Sequence, residues 1–186
     1  MTDETGYNHD ENKILQYDWA GLLNLWQSIE VGDTPGWEPG KAFEYLVLRT
    51  FQLEGAEVRW PFSVRIDEDE IEQIDGVVYS DGLACLVECK DTKNPVNVEP
   101  IAKLRNQLLR RPSPAIGLLF SRSGFTRAAI TLSEYMAPQT LLLWDGREVA
   151  YALEKRCFRR VLGAKYRYCI EYGFQHYPIT TEEDLP

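Results

Sequence analysis

The chain has 186 residues, 44% of them hydrophobic and 26% charged, the profile of one globular domain long enough to bury a core. Its two histidines, His9 and His176, lie in polar stretches near the ends, which argues against Ser-His-Asp, histidine-zinc and histidine-base chemistry. Its four cysteines, at 85, 89, 157 and 169, lack paired CxxC spacing and read as reduced thiols of a cytoplasmic protein. The net charge of −9 divides into −14 over residues 1–100 and +5 over 101–186, so either the second half meets an anionic partner or the halves neutralise each other.

Taken in chain order, residues 1–12 read as a loose polar lead, without the character of a secretory or mitochondrial leader. Apolar positions at Ile14, Leu15, Trp19, Leu22, Leu23, Leu25, Trp26 and Ile29 predict a helix over 12–30, followed by a Pro35/Pro39 connector. A second helix is predicted over 41–54, with Phe43, Leu46, Val47 and Phe51 on one side and Gly55 as its stop. Alternation predicts strands over 57–66, 72–79 and 83–90. A helix over 98–109 ends before Pro112 and Pro114; then follow a strand over 116–120, a helix over 126–136, a strand over 140–144 and a helix beginning at 148–153. The tail from Thr180 is polar. No apolar run approaches the ~18 residues of a membrane span. This order predicts a single α/β sandwich with a mixed sheet.

The strongest chemical signal lies between Glu72 and Lys90. Asp81-Gly82 is a favoured two-residue hairpin turn. With that turn as the loop, cross-strand partners have residue numbers that total 163, which sets Asp75 against Glu88 and Gln73 against Lys90 on one face. The other face takes Ile74, Val78, Cys85, Val87 and Cys89. Facing carboxylates repel one another, and a hard divalent cation such as Mg²⁺ relieves that repulsion. Lys90 is then placed to orient or deprotonate a metal-held water, or to stabilise an oxyanion.

At these residues the sequence resembles the PD-(D/E)xK nuclease superfamily, particularly the Mrr-like restriction endonucleases. Asp75 matches the aspartate at the hairpin start, with Ile74 where the named motif has proline, and Glu88-Cys89-Lys90 matches Glu-x-Lys. Gly40-Lys-Ala-Phe-Glu44 looks like the family's preceding helix with its glutamate, and Ile116 to Ala129 like its later strand, loop and helix. The resemblance implies a restriction-endonuclease-like α/β core of three layers, a central mixed sheet flanked by helices. It implies a nuclease domain at 40–179, with a helical extension at 1–39 and a polar tail at 180–186. The 39 residues before Gly40 are too few for the extra DNA-binding domain of the Mrr restriction enzyme type.

The expected activity is Mg²⁺-dependent hydrolysis of DNA, with Mn²⁺ as a substitute, in a restriction or defence endonuclease. The alternatives are a structure-specific repair or recombination nuclease and a silent nucleic-acid-binding module. The resemblance implies a metal held by Asp75, Glu88 and the backbone carbonyl of Cys89, with Lys90 assisting the water and Glu44 in the outer shell. Lys103, Arg105, Gln107, Arg110 and Arg111 on the following helix are expected to meet duplex DNA, joined by Ser121, Arg122, Ser123 and Arg127. Thr126 suits a helix cap, and free N–H groups there also suit a phosphate. Residues 155–167, with Lys155, Arg156, Arg159, Arg160, Lys165 and Arg167, read as a nucleic-acid patch or a solvated helix face. Clean double-strand breaks favour a homodimer or higher oligomer. The Trp19–Trp26 helix is the expected dimer surface, although that stripe more often packs into a core.

Overall fold

The computed structural model describes residues 4–135 and 138–185, with side chains from His9 onward. A five-stranded sheet runs in the order β1 (Glu57–Arg59), β4 (Gly76–Ser80), β5 (Leu83–Lys90), β6 (Ala115–Ser121), β7 (Leu141–Asp145). The first three strands pair antiparallel and the last three parallel, so the sheet is mixed. Strands β2 (Phe62–Ile66) and β3 (Asp69–Ile74) form a separate two-stranded ribbon. Side chains alternate across the sheet, as the pleat requires. Val78, Cys85, Val87, Phe120 and Trp144 enter a large core shared with α2 (Trp19–Val31), α3 (Lys41–Leu53), α6 (Gly146–Lys155) and α7 (Phe158–Tyr172). Val77, Leu86, Leu119 and Leu143 pack on the other face against α4 (Val98–Leu108) and α5 (Arg127–Glu134). Helices therefore cover both faces of the sheet in three layers.

The predicted turn forms as expected. Asp81 and Gly82 both take left-handed φ, 52° and 82°, and the ladder pairs Ser80 with Leu83 through Gly76 with Val87. Arg159 pins this turn: its guanidinium donates to Asp81 at 2.6 Å, to Ser80 at 3.0 Å and to the Glu54 carbonyl at 2.7 Å. Glu54, just past α3, accepts from the Phe158 and Arg159 N–H groups at 2.6 and 2.9 Å and so caps α7, which the sequence reading did not anticipate. Arg159→Ala is therefore expected to cost on the order of 1–2 kcal/mol and lower Tm by a few degrees in a thermal melt.

Several boundaries differ from expectation. From Glu4 onward the lead is helical rather than loose, because α1 spans Glu4–Ile14 and Ile14 is fully buried. The helix expected over 12–30 is two helices, since Asp18 accepts from the Gly21 N–H at 2.9 Å and starts α2 afresh. The strand expected over 57–66 breaks at Trp60-Pro61, where proline cannot donate to a ladder, and its halves join different sheets. The strand expected over 72–79 breaks at Asp75. The end of α5 expected at Met136 lies outside the described residues. The Trp19–Trp26 stripe is core: Leu22 and Trp26 are buried, and Trp19 and Leu23 pack against them. It is not a free dimer surface.

Candidate active site

Asp75 sits at the hinge between ribbon and sheet. On one side Ile74 pairs with Phe62 and packs into the α4-side core; on the other Gly76 opens the hairpin ladder. Ile74 is thus not on the face expected for it. Gly76 permits the close approach of β4 to α3, since a Cβ there would lie 2.6 Å from Leu48 Cδ2. Leu48 is one helical turn beyond Glu44, so this contact also brings Glu44 toward Asp75. The Asp75 carboxylate then accepts from the Cys89 N–H at 2.8 Å, which fixes it beside the Glu88-Cys89-Lys90 strand end. Cys89 points into the core.

Glu88 is 0% exposed. Lys90 reaches its Oε1 at 2.5 Å, and Lys103 from α4 meets both oxygens at 2.9 Å. Glu44, also buried, accepts from Lys41 at 2.6 Å. Burial first, then the charges of Glu44 and Glu88, push the Asp75 carboxyl up to about 7. Burial likewise raises Glu44, against the pull of Lys41. Burial works against the Lys90 ammonium, yet the adjoining Glu88 outweighs it and the net shift is upward. Three buried carboxylates on three elements thus share one electrostatic neighbourhood, compensated by lysines.

The other expected residues divide. Gln73 does not oppose Lys90; it pairs with Ser63 in the ribbon, and its carbonyl accepts from the buried Gln107 at 3.1 Å. Gln107 therefore ties α4 to the ribbon. Arg110 and Arg111 both engage the buried Glu72, Arg111 at 2.5 Å. They lie at the far end of α4, near the start of β6, away from Lys90. Arg105 is half-buried on the same helix, with its Nε lacking a hydrogen bond. Ser121 is buried and shapes its turn by donating to the Gly124 carbonyl at 2.7 Å. Thr126 caps α5, accepting from Ala129 at 3.2 Å.

Arg122, Ser123 and Arg127 do belong to the site's surroundings. Lys90, Ser121 and Asp145 lie side by side at the carboxyl ends of the three parallel strands. The loops beyond them are zipped together by Arg122–Asp91, by Ser123 on the Thr92 carbonyl and by a Val96–Phe125 bridge. Arg127 is exposed on this rim, as are Lys93 and Arg147, two cations the sequence reading missed. Lys41 was missed as well, although its position three residues before Glu44 on a helix signals a pair.

The cations of the 155–167 segment divide, with Lys155, Arg156 and Arg167 exposed. Arg159 holds the hairpin turn, Arg160 pairs with Glu182, and Lys165 is 1% exposed, bound to Glu148 and the Tyr177 carbonyl. Much of the basic surplus is spent on acids of the first half, through Asp81, Glu72, Glu88 and Asp91. His176 is not in a loose tail either: it packs edge-on to Phe125, and burial lowers its pKa. With Asp145 and Glu148 it makes the grouping, among the described residues, whose three ligand atoms all lie within 4.8 Å. Those carboxylates are committed elsewhere. Asp145 accepts from Arg147 and from two N–H groups at the start of α6, while Glu148 accepts from Asp145 N–H, Ile179 N–H and Lys165. That is a helix cap with a buried ion pair.

A family model described as a restriction endonuclease, the Mrr catalytic domain, matches residues 38–153. The chain belongs to this family. The Mrr-type match contains Glu44, Asp75 and the Glu88–Lys90 strand end, so the geometric cluster lies inside it. No curated protein matches the chain. Solved structures similar to it are distant. They include AF1548, a protein of unknown function, at 17% identity and TM-score 0.47, covering 70% of this chain and 77% of that one. VC1899 from Vibrio cholerae follows at 19% and 0.48, covering 63% and 32%. The MspJI restriction endonuclease, solved with a 27-mer oligonucleotide, stands at 19% and 0.43, covering 89% and 38%. The Mrr-type chain thus spans only about a third of the length of the last two. Among the described residues no helix is long and apolar enough to cross a membrane.

Proposed function

We propose that this chain is a divalent-cation-dependent endodeoxyribonuclease acting on duplex DNA in restriction or defence. The observation that carries the reading is the Asp75–Cys89 hydrogen bond, because it locks the hinge carboxylate against the Glu88–Lys90 strand end. The residues fit a Mg²⁺ or Mn²⁺ ion. Asp75 keeps its second oxygen for a ligand, Glu88 and the Cys89 carbonyl add hard oxygens, and the crowded buried carboxylates favour a cation. Such an ion polarises a phosphate and acidifies a bound water when present.

The chain's own residues do the rest. Asp75 and Glu88 hold, Lys90 orients the attacking water or steadies phosphate oxygen, and Glu44 takes outer-shell water. Arg122, Ser123, Arg127, Lys93 and Arg147 line the rim where the DNA backbone passes, at the strand ends where α/β folds bind ligands. We take residues 40–179 as the nuclease domain, with 1–39 as an extension and 180–186 as a tail, and the working unit as a cytoplasmic homodimer. Incubation with duplex DNA, single-stranded DNA and RNA tests the reading. Duplex cleavage is expected with Mg²⁺ or Mn²⁺ and none in excess EDTA; cleavage that persists in chelator overturns the metal assignment.

A further inference from the structure

Glu88 is gripped by two ammonium groups from different elements. Lys90 lies two residues along the same strand and touches one oxygen, whereas Lys103 spans both oxygens at equal distance. The position of Lys103 is built rather than accidental. Asn97 caps α4, and Ile101 and Leu104 are fully buried on either side of Lys103, so its backbone is fixed above Glu88. Its side chain is nonetheless 45% exposed, against 1% for Glu88. It can therefore leave toward solvent, whereas Glu88 is buried.

A cation held by Glu88 must take at least one of the two oxygens that Lys103 spans, and an ammonium group cannot stay bidentate on them beside a divalent charge. Lys41 meets one oxygen of Glu44, so Glu44, Asp75 and Glu88 are faced by Lys41, Lys90 and Lys103. From this we infer that Lys103 is a positioning residue that competes with the cation for Glu88. It keeps the buried carboxylate oriented in the metal-free protein and sets how tightly the ion is held. The inference rests on the proposed reading of the site.

Calorimetric titration of Mn²⁺ into the full chain, without DNA, tests it. Lys103→Met is expected to bind Mn²⁺ about tenfold tighter, the loss of one charge-assisted contact that the ion must otherwise displace. Lys103→Arg should stay near wild type, and Glu88→Gln should lose binding. The Mg²⁺ concentration for half-maximal cleavage should fall in Lys103→Met. Lys103→Gln repeats the measurement if the Met variant melts early. Equal or weaker Mn²⁺ affinity in Lys103→Met and Lys103→Gln, with binding still lost in Glu88→Gln, overturns the inference and leaves the site reading standing. Unchanged binding in Glu88→Gln overturns the site reading, and the inference with it.

Discussion

Asp75→Asn, Glu88→Gln and Lys90→Ala are each expected to reduce DNA cleavage by about a thousandfold or more, with circular dichroism unchanged. In the proposed reading Asp75 and Glu88 hold the cation, and Lys90 is the ammonium group at the same strand end. Combining any two should add little, because residues that act as one unit fail together. The Lys90 variant should still bind Mn²⁺, whereas Glu88→Gln should not. Steady-state cleavage of a plasmid and the calorimetric titration separate these outcomes. Near-additive losses in the double variants would point to three independent structural defects instead.

The same Asp75→Asn change is expected to stabilise the metal-free protein. An amide there can still accept from the Cys89 N–H, but it removes a buried charge that Glu44 and Glu88 repel. The sign follows from where Asp75 titrates. Its carboxyl is raised from 3.8 to about 7 in the folded chain, so ionisation costs nothing below pH 4, increasingly more as pH rises, and its full amount above about pH 7. In EDTA at pH 8 the variant should gain on the order of 1–3 kcal/mol, several degrees in Tm, while at pH 4 the two proteins should melt together. Equal melting at pH 8 would mean that burial and the neighbouring carboxylates do not raise the Asp75 carboxyl. A residue that harms the fold it sits in, and is harmless when neutralised, marks a site organised around a ligand.

How much of this was legible in advance follows from which forces are local. The Asp81-Gly82 turn is local chemistry, so the register that sets Glu88 beside the Asp75 end could be read directly. Helix α3 was legible because it is amphipathic and begins where its glycine and proline neighbours say it should, whereas Glu44 on it was singled out by the family resemblance. The break at Asp75 was not legible: alternation runs unbroken through Ile74 and Val78, and only the pairing of β3 with β2 and of β4 with β5 shows the chain changing sheets. That break sends Gln73 and Ile74 away from the site. Helix α7 was hidden because its positive charges looked like surface, yet Lys165 is neutralised in the core and Arg159 works as a strut. The basic second half likewise suggested a broad nucleic-acid face. Pairing is non-local, and the fold spends Arg110, Arg111 and Lys103 on Glu72 and Glu88. The grouping of His176 with Asp145 and Glu148 depends on the last strand and the tail meeting, through Leu143 and Gln175, and no spacing announces it.

That second grouping makes one measurement decisive. Crystals of the protein soaked in Mn²⁺ and measured at the manganese absorption edge would locate the ion by its anomalous signal. An anomalous peak between Asp75 and Glu88, beside the Cys89 carbonyl and with Lys103 turned away, is the predicted result. A peak at Asp145, Glu148 and His176 with none at Asp75 would contradict the assignment of the active site.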